Sequence, residues 1–215
     1  MKSFLIVGMG TFGHHLCRCL AQQKCEIMIA DSSNERVEDL LPYAASVKIG
    51  DCTKRDVLES FDVPSFDACF VCIGDDFQNS LEVTSLLKEL GAKRVFSKAE
   101  RDVQAKFLLR NGADEVIYPE LDVARRLSVR LNSNSIFDFI PLGQGDFAIA
   151  EIAVSDRWVG KSISDLAFRT RYHLSILAVK KGGQVSPLPS ADYAFEAETH
   201  LMVLGRIEDI QKAAD

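Results

Sequence analysis

The sequence predicts an α/β fold, a doubly wound parallel sheet followed by a small α+β domain. Short apolar runs alternate with helical patterns over the first 120 residues, which is the signature of parallel strands joined by crossover helices. A glycine-rich loop joins the first apolar run to the first helix, and the rhythm changes after the polar run at 132–135.

The six strands of the first part read SFLIVGM, EIMIAD, SVKIGD, ACFVCIG, RVFSKA and EVIYP. They are rich in Val, Ile and Phe with little polar alternation, as expected of strands covered on both faces. A helix is expected between each pair, giving the order βαβαβαβαβαβ. Phe12, Leu16, Cys19 and Leu20 recur at helical spacing after the first strand. Val83, Leu86, Leu87 and Leu90 do so after the fourth, with Gly91 as a stop. A further amphipathic helix carries Leu121, Ala124, Leu127 and Leu131 on one face and ends in NSNS. A boundary is expected there, giving domains 1–134 and 135–215. The second domain contains the strands IFDFIPL, FAIAEIAV, LSILAVK and HLMVLG, a short helix at SISDLAF, a KGG turn and a final helix.

Composition narrows the function classes. With 215 residues, 47% of them hydrophobic, the chain fills one large core or two small ones. Its net charge of -6, without a basic stripe, argues against nucleic acid and anionic lipid as partners. No apolar run approaches the roughly 20 residues that cross a bilayer. Met1-Lys2-Ser3 leads straight into a strand with no signal-peptide pattern, so a cytoplasmic protein is expected. Cys69 and Cys72 form a CxxC within a buried strand, where residues three apart point to opposite faces. Cys17 and Cys19 diverge on a helix. Reduced, buried thiols are therefore expected rather than a metal site.

Gly8-Met9-Gly10-Thr11-Phe12-Gly13 is a GxGxxG at a strand-to-helix turn. Its first glycine permits a tight turn, the second lets backbone approach a pyrophosphate, and the third lets helix pack on strand. Free N–H groups at the helix start meet anionic phosphates. Asp31 ends the second strand at about the 20-residue spacing where a carboxylate accepts ribose hydroxyls. Together these make a Rossmann-like dinucleotide fingerprint. An aspartate there, with no arginine beside it, disfavours a 2′-phosphate and hence NADP. Other strand ends on the same edge carry Gly50-Asp51-Cys52-Thr53, Gly74-Asp75-Asp76, Lys98 and Pro119-Glu120. As a bland alternative, Asp51, Thr53 and Asp76 are helix caps, and Lys98 and Glu120 are surface charges.

An NAD-dependent oxidoreductase is the first enzyme such a fold suggests, but no catalytic residues are visible. No tyrosine is followed by a lysine four residues on, and His14, His15, His173 and His200 show no evident carboxylate partners. Gly160-Lys161-Ser162 is no P-loop, because Ser155 stands where a glycine is required. A nucleotide-binding domain joined to a small domain without chemistry fits a sensor.

The stretches FLIVGMGTFG, IGDCT, FVCIGDD with FQNS, LKELGAKRVFSKA and LLRNGADEVIYPE, then WVGKSISDL, RYHLSILAVKKGG and PSADYAFEAETHLMVLG, carry a family resemblance. The chain resembles the cytosolic regulatory subunits of the Ktr/Trk potassium-uptake systems, an RCK (KTN, TrkA-N) nucleotide-binding domain followed by a TrkA-C domain. The resemblance implies a non-enzymatic regulator, peripheral to the inner face of the membrane. It also implies a dimer-based ring, commonly an octamer, docked on a potassium-translocating membrane subunit and switching it with ATP, ADP or NAD(H).

Carried over by position, Gly8, Gly10, Thr11, Phe12 and Gly13 would cradle phosphates, Asp31 the ribose, and Asp51, Cys52 and Thr53 the adenine edge. Gly74, Lys98 and Glu120 would form the far rim, with Mg²⁺ or Ca²⁺ on Glu120. Thr11 departs from the arginine that many ATP-responsive members carry, which leaves NAD(H) open beside ATP and ADP. In the second domain the resemblance implies cyclic di-AMP at a two-fold interface near Phe168, Arg169, Tyr172, Ile176 and Pro189. A plain dimer interface explains the same five residues.

Overall fold

The structure is a computed structural model that describes residues 1–143 and 145–214. It divides into two compact units, Met1–Leu121 and Asp122–Asp215. The division falls within the helix that precedes the NSNS run, ahead of the boundary expected at 134/135.

All six strands of the first unit form where the apolar runs predict them. β1 (Lys2–Val7), β2 (Cys25–Asp31), β3 (Ser46–Ile49), β4 (Ala68–Val71), β5 (Val95–Lys98) and β6 (Glu115–Ile117) make one parallel sheet in the order β3-β2-β1-β4-β5-β6. The chain winds outward from β1 to one side and then from β4 to the other. Val7 pairs with Ala30 of β2 and with Val71 of β4. The next residues, Gly8, Asp31 and Cys72, therefore arrive together at the carboxyl edge, where the direction of winding reverses.

Both faces of the sheet are covered. Leu5, Val7, Cys69 and Val71 pack on one face against Leu58 of α2 (Arg55–Glu59) and Val83 and Leu87 of α3 (Phe77–Glu89). Ile6, Ile27, Ile29 and Cys72 pack on the other against Cys17 of α1 (Thr11–Ala21). Cys69 and Cys72 thus sit on opposite faces, and all six cysteines are free thiols. Thr84 Oγ1 and Ser97 Oγ, both buried, satisfy each other at 2.8 Å between α3 and β5. α4 (Asp102–Arg110) completes the helical cover.

One crossover differs from expectation. Between β2 and β3 only a 3₁₀ turn forms, Glu38–Leu40, anchored by buried Val37 and Leu40. Ser32-Ser33-Asn34 before it and Pro42 after it leave too short a stretch for an α-helix.

The second unit is a five-stranded antiparallel sheet in the order β10-β9-β11-β8-β7. Its strands are β7 (Ile136–Pro141), β8 (Phe147–Ala153), β9 (Ser175–Lys181), β10 (Gln184–Pro187) and β11 (Thr199–Arg206). The core centres on Trp158, wholly buried, with Phe168 and Phe195 around it and its Nε1–H donating to Tyr172 Oη at 2.8 Å. α7 (Ile207–Ala214) covers this core through Ile210 and Ala213. The helix expected at SISDLAF begins only at Phe168, as α6 (Phe168–Tyr172). Upstream, Ser162 N–H donates to Asp165 Oδ2 and Asp165 N–H to Ser162 Oγ, a reciprocal pair that opens a turn, and Ala167 at φ +44° interrupts it before Phe168. β10 was not expected, since Gln184–Pro187 is exposed throughout and lacks alternation.

α5 (Pro119–Leu131) has no buried residue. Its Val123, Leu127 and Leu131 recur every fourth position and are 63%, 40% and 73% exposed.

The histidine expectation is corrected at two positions. His14 Nε2 lies 2.6 Å from Asp39 Oδ2, and His200 Nδ1 lies 2.6 Å from Glu151 Oε1. Both partners are distant in sequence, which is why no local pattern revealed them. Glu151 also accepts both of its 2.9 Å contacts from Lys180 Nζ. Burial pushes the Glu151 carboxyl up, but the bonds from His200 and Lys180 outweigh it and hold it below the usual range.

Two outcomes follow. A Cβ on Gly13 would lie 2.1 Å from the Gly8 carbonyl oxygen, so Gly13→Ala should cost about 1–3 kcal/mol by overpacking, read as a lowered Tm. An unchanged Tm would contradict this close approach. Because the folded-state value of Glu151 is depressed, its contribution is full above the unfolded glutamate value near ~4.3 and is lost as pH falls through the folded value. Acid denaturation curves of wild type and Glu151→Gln should therefore converge at low pH and separate above it. Curves that stay parallel would contradict the assignment.

Candidate functional site

The carboxyl edge of the first sheet opens into a cavity of about 670 Å³. The glycine loop forms one wall. Gly8 adopts φ +94°, a left-handed value that disfavours any side chain, and a Cβ there would approach Ile73 Cγ1 to 2.9 Å. Gly10 caps α1 with no side-chain bond, and a Cβ on it would meet no protein atom within 4 Å. That glycine relieves no clash but keeps the rim clear in front of the α1 N-terminus. Thr11 and Phe12 line the cavity beside it. Gly13 does not, because it is buried beneath the loop against Gly8 and Cys72.

Asp31 forms the second wall. Its Oδ2 accepts from Met9 N–H at 2.6 Å and its Oδ1 from Ser33 N–H at 2.8 Å. The carboxylate thus ties the glycine loop to the end of β2. Beyond β3, Gly50, Asp51, Cys52 and Thr53 line the next stretch. Asp51 Oδ1 accepts from both the Thr53 hydroxyl and its N–H, which keeps the Asp51 carboxyl below the usual range. The helix-cap expectation is corrected for Asp51 and Thr53, which bond each other in a local turn while α2 begins after Lys54 with no side-chain cap. Asp76 caps α3 through Asn79 N–H at 3.0 Å, the bland alternative.

Opposite, Lys98 at the end of β5 is 11% exposed, and its Nζ pairs with Glu120 Oε1 at 2.7 Å and approaches Glu100 to 3.9 Å. A Cβ on Gly74 would lie 3.1 Å from that ammonium, so the glycine leaves room for Lys98 at the end of β4. The Lys98 hydrogen bond holds the Glu120 carboxyl below its ordinary value. Among the described residues no group of three or more potential ligands is placed to hold a metal ion. A cation on Glu120 needs its remaining ligands from a bound molecule.

The cavity is acidic at its mouth: Asp75, Asp76, Glu100 and Glu120 line it along with Asp31 and Asp51, against the cations Arg36 and Lys98. Among the polar lining residues, sequence reasoning missed Ser32, Arg36, Asn79 and Glu100. Arg36 corrects the expectation of no arginine beside Asp31, since its Nη1 lies 4.0 Å from Asp31 Oδ2. The only available signal was an arginine five residues past Asp31 in a loop that sequence reading gave to a helix.

In the second unit, Phe168 is buried against Trp158, Tyr172 is bonded to it, and Ile176 packs on the same core. Of the five residues given for a cyclic dinucleotide, Arg169 alone is exposed, with Tyr172, Ile176 and Pro189 half-buried.

Residues 4–119 match the TrkA-N domain and residues 147–215 the TrkA-C domain. The Ktr system potassium uptake protein C of Bacillus subtilis is 33% identical over 211 residues, covering 98% of this chain and 95% of that protein. The Ktr system potassium uptake protein A of Vibrio alginolyticus is 29% identical over 204 residues, covering 95% and 92%. Among solved structures, the GsuK RCK domain superposes with a TM-score of 0.67 at 18% identity, covering 99% of this chain and 47% of that one. The GsuK channel bound to NAD gives 0.68 at 18% identity, covering 99% and 38%. The likeness to these two is one of fold.

Burial pushes the Cys52 and Cys72 thiols up to about 12, with Asp51 and Asp31 adding to the effect at Cys52. In mildly alkaline buffer, Cys19, exposed on α1, should therefore be alkylated first, with Cys52 and Cys72 labelled only on unfolding. Mass mapping of labelled peptides checks this, and early labelling of Cys52 would contradict the closed cavity floor.

Proposed function

Because the chain belongs to the family of TrkA-N/TrkA-C regulatory proteins homologous to Ktr potassium-uptake subunits, we propose that it is the nucleotide-binding regulatory subunit of a potassium-translocating membrane protein. The family is one of regulatory modules rather than enzymes, and the oxidoreductase alternative is set aside on that ground. No helix among the described residues is long and apolar enough to cross a membrane. In this proposal the chain docks on the cytoplasmic face of its partner.

The observation that carries the reading is the cavity at the point where the strand order reverses, with the uncapped α1 N-terminus on one side and Lys98 on the other. Ligands of open α/β sheets bind at such a point. In our reading an adenine nucleotide lays its phosphates over Gly8 and Gly10 beside Thr11 and Phe12. Its ribose lies against the end of β2, where Asp31, 4% exposed, offers a hydroxyl only the lone pairs that Met9 and Ser33 leave free, and its base lies toward Asp51, Cys52 and Thr53. Gly13 acts indirectly, by letting α1 approach the loop. Gly74, Lys98 and Glu120 meet the terminal phosphate or second nucleoside.

The acidic mouth decides between ligands. Terminal phosphates of ATP or ADP bring charge toward Glu100 and Glu120, so they bind with Mg²⁺ or Ca²⁺ shared between phosphate oxygens and Glu120. NAD(H) carries less phosphate charge and needs no such cation. A regulator also needs neighbours to move. The exposed stripe Val123, Leu127, Leu131 on α5 is the surface we assign to contact with further copies, in a dimer-based ring such as an octamer. For the second domain, a cyclic di-AMP site rests on Arg169 and Pro189, with Phe168, Tyr172 and Ile176 as the core behind them.

Binding calorimetry on the full chain tests the reading. Asp31→Ala should weaken adenine-nucleotide affinity by about 10-fold to 100-fold through lost charged hydrogen bonds. Because Asp31 also braces the glycine loop, Gly10→Ala serves as the second variant. It costs less than about 1 kcal/mol as a cap but puts a methyl group in front of the α1 N-terminus. Undiminished affinity in both variants would overturn the site.

A further inference from the structure

The ribose end of the cavity differs from a bare carboxylate facing a ligand. Asp31 is turned inward: both of its oxygens accept backbone N–H groups, and its side chain is 4% exposed. The accessible polar groups beside it are those of Ser32 and Arg36, both lining the same cavity. Arg36 is 53% exposed, and at 4.0 Å from Asp31 Oδ2 it makes no hydrogen bond there, so its donors remain available. The backbone that carries it is pinned. Val37 is 1% exposed in the core beneath, and its N–H donates to Asn34 O at 3.2 Å. The guanidinium therefore starts from a fixed point of the cavity rim, beside Asp31.

A planar guanidinium offers paired N–H donors that match a phosphate, whereas it gains little from a lone hydroxyl. The residual charge of Asp31 opposes an incoming phosphate, but the Met9 and Ser33 amides and Arg36 itself already offset that charge. We propose that Arg36, with Ser32, reads a 2′-phosphate on the adenosine ribose, so that the ligand class of this cavity extends to 2′-phosphorylated dinucleotides such as NADP(H). This reverses the expectation drawn from Asp31 alone. It rests on the nucleotide-binding reading above, and the test separates the two.

The probes are AMP and adenosine 2′,5′-bisphosphate, which differ only at the position in question, titrated calorimetrically into the full chain and its Arg36→Ala and Arg36→Lys variants. Wild type should prefer the bisphosphate by about 10-fold or more, the scale of one charge-assisted phosphate contact. Arg36→Ala should abolish that preference while changing AMP affinity by less than about threefold, and Arg36→Lys should retain part of it. Arg36 is exposed, so neither substitution threatens folding. If AMP binds and the bisphosphate binds more weakly, the proposal falls and the nucleotide site stands. Equal weakening of both probes by Arg36→Ala would also overturn it, because the guanidinium would then be packing on the base. If neither probe binds, nor ADP, nor NADH, both readings fall together.

Discussion

The site depends on the approach of α1 to the turn after β1. A single Cβ on Gly13 would sit 2.1 Å from the Gly8 carbonyl oxygen, a distance no packing adjustment of side chains relieves, because both partners are backbone. That contact sets the first turn of α1, which no side chain caps, against the turn after β1. Gly8 can hold its left-handed turn, and Met9 N–H reaches the Asp31 carboxylate 2.6 Å away. Register then supplies the rest. Pairing of Val7 with Ala30 and Val71, and of Val71 with Ser97, delivers Asp31, Gly74 and Lys98 to one edge.

Charge sets what that edge can do. Lys98 is nearly buried and paired with Glu120, so it is an ammonium whose partner is exposed and exchangeable. A ligand phosphate would compete with Glu120 for it, and the carboxylate released would repel the same phosphate unless a cation joined them. In the proposed reading, that exchange would reach α5 through Glu120, the second residue of that helix. A ligand shifts a conformational equilibrium only by the difference in its contacts with the two states. Glu120 is where such a difference is available.

Much of this was legible in the sequence. Parallel strands buried on both faces have an unmistakable composition, and the glycine spacing with Asp31 identified the loop, its helix and the wall across from it. Every first-domain residue proposed for the nucleotide except Gly13 lines the cavity. What escaped were properties that depend on the path of the chain between elements. The alternating βα order places a helix between β2 and β3, yet Ser32-Ser33-Asn34 and Pro42 leave that connection as a turn, and it carries Arg36 into the site. The carboxylate partners of His14 and His200 lie on other elements, and SISDLAF does not run on as one helix because Ala167 turns left-handed before Phe168. Asp51 and Asp76 make the local turn and cap bonds that their residue types favour, which leaves one lining surface serving both local structure and the cavity.

The central claim is that this cavity senses a nucleotide and passes that state to a membrane transporter. Potassium flux through the complex reconstituted with its membrane partner tests it most directly, with ATP, ADP and NADH each supplied with and without Mg²⁺. Flux that differs between nucleotides, with the ATP and ADP responses dependent on the cation, is the predicted result. Identical flux in every condition would mean that the chain assembles with the transporter without gating it, and would contradict the account.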